Sequence, residues 1–358
     1  MKLGHVALDG TKVQANASKH KAMSYERMLK SELELTEEID ALLARAKEAD
    51  SSEDERFGKD QRDEDLPAEL RRRESRLKKI REAKEKLETE AAEARARALR
   101  EQAARGRERS ESATDEASRK RAATVAAKKA RKAKELDPDA DDDDLDPPKT
   151  DDGFPKHEPK VTPDGQPHGK AQMNFTDSDS RIMERGGTFL HGYNCQAAVD
   201  EGHQIIVGQA VSNLAPDNGA LIPMVEQVQA NCGESAAKTT ADAGYWRADA
   251  PAACERLGTD PYISTHRRKH GQADDPPPLD DTADERQKMR AKLATEEGRT
   301  VYARRKAVVE LVFGQIKEAR GFRRFLLRGL EKAQAEWALV CTGHNLLKLW
   351  RWARTQPA

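Results

Sequence analysis

Three acids stand where a carboxylate can do chemistry. Asp9 follows the short apolar run of GHVALDGTKV, Asp242 follows Lys238–Ala241 within ADAGYW, and Glu310 lies between Val308, Val309, Leu311, Val312 and Phe313. Phosphoryl transfer on two divalent metals about 3.5–4 Å apart needs such carboxylates, delivered by rigid elements. On that pattern Asp9 bridges both ions, Asp242 holds one, and Glu310 holds the other and positions the attacking water or hydroxyl. Oxygen ligands without Cys or clustered His favour Mg²⁺ or Mn²⁺ over zinc. The plainer alternative for Asp9 and Asp242 is an Asp-Gly type turn after a strand. Glu310, placed among apolar neighbours, is expected to need a partner or a metal.

Tyr302, Lys306, Glu310, Phe313 and Lys317 are spaced four, four, three and four apart, so they share a helix face. Lys306 and Lys317 flank the acid, either as ordinary Lys–Glu pairs or as contacts to DNA phosphates. Arg305 stands beside Lys306, and Arg323 and Arg324 follow in a basic turn. Asp177 and Asp179 fit a turn better than a metal or DNA contact. His266 and His270, with three basic residues between them, suit a phosphate-contacting loop more than a metal. Asp200 belongs to a hairpin turn. Trp337, Trp350 and Trp352 are expected to pack the last helix, the final two having the option of stacking on bases.

The elements that must hold these residues follow from periodicity. Phe189–Val199 and Gln204–Val211 read as a β-hairpin, Asp217–Asn231 as a helix, and Lys238–Ala241 as a strand. Residues 267–290 are polar and punctuated by proline, which predicts a loop. Glu296–Arg320 and Leu330–Trp352 are the closing helices. Between the first strand and this region, Leu29, Leu33, Ile39, Leu42 and Leu43 form one stripe, and Leu70, Leu77, Ile80, Leu87, Ala91, Ala94 and Ala98 another on heptad positions. A helical hairpin turning through residues 51–65 is expected, with the pattern weakening beyond residue 98. The predicted order is therefore a first strand in 1–17, a coiled-coil-like insertion in 18–135, an acidic flexible linker without core-forming residues in 136–170, and the rest of the catalytic domain in 171–358.

Composition is consistent with that division. The 358-residue chain is 35% charged, 36% hydrophobic and 4% aromatic, so its core must be concentrated. The net charge of −1 hides opposed blocks: residues 135–152 carry ten acids and one lysine, and residues 299–358 carry thirteen Lys/Arg against four Glu. A basic block of that strength suits a polyanion or a solvated helix face. The four cysteines are scattered, which fits a reducing compartment, and no apolar run is long enough to span a bilayer. A cytoplasmic protein with no membrane partner is expected.

The strings VALDGTKVQANASKHKAMSYERM, TDSDSRIM, GYNCQAAVDEGHQIIV, ADAGYW and YARRKAVVELVFGQIKEARGFRRFLLRGLEKAQAEWALVCTGHNLLKL resemble a bacterial insertion-sequence transposase of the DDE type. The resemblance covers nearly the whole chain apart from the acidic stretch and the loop near residue 275. It implies an α/β, RNase H-like domain: a mixed central sheet flanked by helices, here with a long helical hairpin inserted after the first strand. Asp9, Asp242 and Glu310 take the places of the catalytic acids that bind two Mg²⁺. Around the last acid the family's Tyr-Arg-Glu-Lys signature is matched by Glu310 and Lys317, whereas Tyr302 is one place early and Lys306 holds the arginine position. The implied function is metal-dependent cleavage of DNA at element ends and strand transfer into target DNA, by a homodimer or higher assembly. Such proteins carry a DNA-binding region before the first catalytic strand, and only eight residues precede Asp9. The resemblance thus also admits a truncated, catalytically inactive remnant that binds DNA or a partner transposase.

Overall fold

A computed structural model of the protein describes residues 3–57, 68–141, 144–266 and 282–355. The chain divides into two units, one of residues 1–19, 148–157 and 179–358, the other of residues 20–147 and 158–178.

The first unit is α/β. Its strands are β1 (His5–Gln14), β4 (Arg181–Arg185), β5 (Thr188–Asp200), β6 (Ile206–Ser212), β7 (Lys238–Ala241) and β8 (Asp260–Ile263). The sheet is mixed: β1 lies between antiparallel β5 and parallel β7, β8 follows β7, and β4 and β6 share the other edge of β5. The β5–β6 hairpin forms as expected, with the Asp200 carboxylate accepting the His203 amide at 2.9 Å.

Residue alternation sorts the two faces of β1. Ala7 and Val13 join Tyr193, Cys195 and Ala197 against α7 (Glu296–Gly314) and α8 (Leu330–Thr355), which contribute Val309, Val312, Phe313 and Trp337. Val6 and Leu8 face the other way, onto α4 (Leu221–Cys232) and α5 (Ala250–Arg256) through Met224, Val225 and Cys254. Helices therefore cover both sides of a mixed sheet, an arrangement compatible with an RNase H-like fold.

Two local expectations change here. The Asp-Gly turn open to Asp9 does not form: β1 runs on through Gly10 to Gln14, because β5 pairs with it from Val6 to Gln14 and leaves no room for a turn. The loop predicted over residues 267–290 gives way at its end to α6 (Glu285–Ala294), which starts on a reciprocal cap between Asp284 and Gln287.

The second unit contains a two-stranded sheet, β2 (Ala22–Ser24) with β3 (Gln172–Asn174), and three helices: α1 (Tyr25–Phe57), α2 (Ala68–Ser112) and α3 (Glu116–Leu136). Met28, Leu35 and Ile39 of α1 pack on Leu70, Leu77, Ile80 and Leu87 of α2. Glu38 pairs with Arg73 and Glu32 with Arg81 and Lys84, so the two helices run in opposite directions. Their connection lies outside the described residues.

The weakening stripe beyond residue 98 does not stop α2. Large side chains are absent there because α3 comes close. A Cβ on Gly106 would lie 3.0 Å from the Ala126 Cβ, and Ala96, Leu99 and Ala133 form a small core. Asp115 caps α3 by accepting the Ser118 amide, and the buried Arg100 pairs with Asp137 at 2.8 Å. The acidic stretch, expected to lack core-forming residues, supplies Phe154, which is buried among the α4-side residues of the first unit.

Candidate functional site

The register of β1 and β7 brings two of the predicted acids together. Their parallel pairing ends at Ala7 with Thr240, and two residues further along each strand stand Asp9 and Asp242. Alternation turns both acids toward the side of the sheet that α7 covers. Asp9 is thus the tip of the parallel pair although not the tip of its own strand. Asp242 takes over where β7 stops, its carboxylate accepting the Gly244 amide at 2.8 Å.

Arg305 of α7 reaches into this position, its guanidinium 3.0 Å from the Asp9 carboxylate and itself buried. Burial raises the Asp9 pKa to about 6; Arg305 pulls it down, and the Asp242 charge adds to the rise. Asp9 is accordingly an acid held ionised against the preference of its surroundings.

Asp217, at the start of the segment whose spacing predicts a helix, lies on the opposite face of the sheet under Gly10. Its carboxylate accepts from Asn194 at 2.6 Å, Gln196 at 2.8 Å and Lys12 at 3.3 Å. A Cβ on Gly10 would fall 2.5 Å from Asp217 Oδ1 and 2.6 Å from Gln196 Nε2, so any side chain here would displace these two groups from each other. Gln196 also accepts from the buried Tyr245 hydroxyl. Burial first, then the charges of Asp217, Asp9 and Asp242, hold the Tyr245 phenol well above its ordinary range. A signal for this network was present: Asn194 and Gln196 alternate within an otherwise apolar strand, which marks buried amides in need of partners.

Glu310 is placed differently from its expectation. It was predicted to sit among apolar groups, but Val309, Val312 and Phe313 turn inward while Glu310 is exposed. Five helical positions separate it from Arg305, a rotation of roughly 140°, so the two cannot face the same point. Among the described residues, no group of three or more His, Cys, Asp or Glu side chains is arranged to hold a metal ion.

The cations around the acids divide likewise. Lys317 donates to the Thr11 hydroxyl and, at 3.3 Å, to the Lys12 carbonyl, and burial, then Arg185, lowers its pKa. Tyr302 lies with its ring 5.8 Å from the Arg305 guanidinium. Lys306, Arg323 and Arg324 are exposed, Arg323 pairing with Glu318 and Arg324 donating to Asn16 at 3.1 Å. Asp179 accepts the Leu330 amide at 3.1 Å and so caps α8, and the Asp177 amide donates to Asn174, which agrees with turn roles. His266 lies 3.1 Å from the Thr265 hydroxyl, and His270 is outside the described residues. Trp337 is fully buried, whereas Trp350 and Trp352, also expected to pack, are exposed.

The fold and site define an α/β protein in which neighbouring strands set two aspartates under a buried arginine of a covering helix. Residues 278–350 match the family model described as a transposase DDE domain, a match that supports a DDE-type transposase. The matched segment spans α6, α7 and most of α8, including Arg305, Glu310 and Lys317. No curated protein and no solved structure matches the chain. The family implies transposase activity in the broad sense, with DNA as substrate. Among the described residues no helix is long and apolar enough to cross a membrane.

Proposed function

We propose that this chain is a DDE transposase with an RNase H-like catalytic domain that cuts DNA at insertion-sequence ends and transfers the freed strand into target DNA. The observation that carries the proposal is the juxtaposition of Asp9 and Asp242, two residues past the last parallel pair, beneath Arg305 of the helix that matches the family. The two carboxylates fit a divalent cation: Asp9 is raised by burial and by Asp242, a charge conflict that a cation relieves. Mg²⁺ or Mn²⁺ bound there would offset the charge on the attacking and leaving oxygens of an in-line displacement. Asp9 and Asp242 are the residues proposed to hold the first ion. The second ion is proposed to take Glu310, brought from the exposed flank by a turn of α7 about its own axis.

The protein's own groups do the rest. Arg305 keeps Asp9 ionised, the Asp217 network fixes the Gly10 backbone behind it, and Lys317 ties α7 to β1. Lys306, Arg323 and Arg324 present charge to DNA phosphates, with Tyr302 holding Arg305 in place. In this proposal the first unit, residues 1–19, 148–157 and 179–358, is the catalytic part, and the helical unit is its insertion. The enzyme acts as a homodimer or higher assembly, since two element ends are processed.

The exposed position of Glu310 favours a second reading, a catalytically inactive protein that binds DNA or a partner transposase. Nicking of DNA bearing the element's ends, with Mg²⁺ or Mn²⁺, separates the two. The enzyme loses nicking in Asp242→Asn and retains DNA binding. Equal, absent nicking in both proteins leaves the binding role. Counting bound Mn²⁺ in wild type and Glu310→Gln tests this turn of α7, which predicts two ions in the first and one in the second.

A further inference from the structure

Helix α8 buries Leu330, Ala333, Trp337, Cys341 and His344. Its opposite side carries Leu339, Leu346, Leu349 and Trp350, whose exposures are 71%, 61%, 54% and 55%. Ala335, Leu339, Leu346 and Trp350 follow at four, seven and four residues, the spacing of a helix–helix seam. Large apolar side chains gathered on one exposed face mark an interaction surface, and this face lies directly opposite the buried one.

The sequence of the seam indicates what covers it. About a midpoint between Thr342 and Gly343 the helix is complementary to its own reverse. An antiparallel second helix sets Leu339 against Leu346 and the small Ala335 against the large Trp350, with Thr342 and Gly343 letting the backbones approach at the centre. Charge agrees with that direction. Glu331 lies in the first turn beside Lys332, and Arg351 and Arg354 lie in the last, so an antiparallel pair sets Arg354 of one copy near Glu331 of the other, and the helix dipoles oppose. A parallel pair would instead set Trp350 on Trp350 and Arg354 on Arg354. The alternative seam, the apolar stripe of α1 and α2, is largely used up inside its own unit, where Leu35, Ile39, Leu70, Leu77 and Ile80 are already buried.

We propose that the outer face of α8 is the docking surface for a second copy of this chain, with two α8 helices packed antiparallel around Leu339 and Leu346. The contact stands apart from the acids of β1 and β7 and does not depend on catalysis.

Sedimentation equilibrium of the full chain without DNA tests it. A concentration-dependent dimer is expected, and Leu346→Glu should weaken it at least about tenfold, since each dimer gains two charges at its centre. A monomer at every concentration, or a dimer indifferent to Leu346→Glu, overturns the proposal. Cross-linking tests the arrangement without depending on that variant's folding, in a background where the exposed Cys232 is replaced by serine. A mixture of Leu339→Cys and Leu346→Cys proteins should form a disulfide-linked dimer on oxidation, and Leu339→Cys alone should not. Linkage by Leu339→Cys alone, or in neither case, overturns the antiparallel pairing.

Discussion

Two carboxylates in the two units of this chain are held in opposite ways. Glu32, in the helical unit, receives Lys84 at 2.7 Å and Arg81 at 2.9 Å, and the Lys84 hydrogen bond leads the causes that lower its pKa. Asp9, in the sheet unit, also has an arginine beside it, yet burial outweighs that partner and raises its pKa to about 6. Both are ion pairs by distance. The first is a charge placed where its surroundings favour it, and the second is a charge kept where they do not. An acid that needs more positive charge than the protein supplies is the one suited to a cation ligand.

The sharpest way to break this contrast is to remove the charge from each site. Asp242→Asn and Asp9→Asn should lower DNA nicking on the order of a thousandfold, measured on a substrate bearing the element's ends. Glu32→Gln should leave nicking unchanged.

A pH series sharpens the same point. Above about pH 6 Asp9 is ionised and free to bind a cation, and below it the proton competes, so Mn²⁺ affinity should fall about tenfold per pH unit. The effect on folding has the opposite sign to that of a salt-bridged acid. Because the folded pKa lies above the unfolded value, Asp9 favours the metal-free fold most below about pH 4. That contribution is lost as pH rises toward about 6, and Asp9→Asn should flatten this part of a denaturation-versus-pH curve.

Smaller effects probe what stands behind the acid. Gly10→Ala drives a Cβ against Asp217 and Gln196 and should cost roughly 1–3 kcal/mol in denaturant unfolding, with nicking impaired in the folded fraction. Asp217→Asn leaves donors facing an amide and should cost about 1–2 kcal/mol. The smallest change is Glu32→Gln, under about 1 kcal/mol, as for pairs near the surface. A Glu32→Gln cost larger than that of Gly10→Ala would reverse the comparison.

What the sequence showed and what it hid follow from the range of the forces. The apolar run before Asp9, the β5–β6 hairpin and the core-forming valines of α7 are local patterns, and each formed the expected element. That β1 continues through Asp9-Gly10 depends on its pairing with β5, nearly two hundred residues away, which overrides a local turn preference. The inward turn of Arg305 and the outward turn of Glu310 depend on which arc of α7 meets the sheet. Val309, Phe313 and Ile316 settle that arc, and the face shared by Lys306, Glu310 and Lys317 falls at its margin. Asp217 shows no local sign of meeting Gly10, although Asn194 and Gln196 hinted at a polar network. Helix α3 was hidden because alanine and glycine packing leaves no large apolar stripe to read.

Asp9 and Asp242 together are proposed to form a divalent-cation site. Calorimetric titration of Mn²⁺ into the full chain at neutral pH, repeated with Asp242→Asn, tests it without DNA or turnover. Saturable binding that weakens at least about tenfold in the variant is expected. Mn²⁺ binding that is unchanged by the substitution, or absent from the unaltered protein, would contradict it.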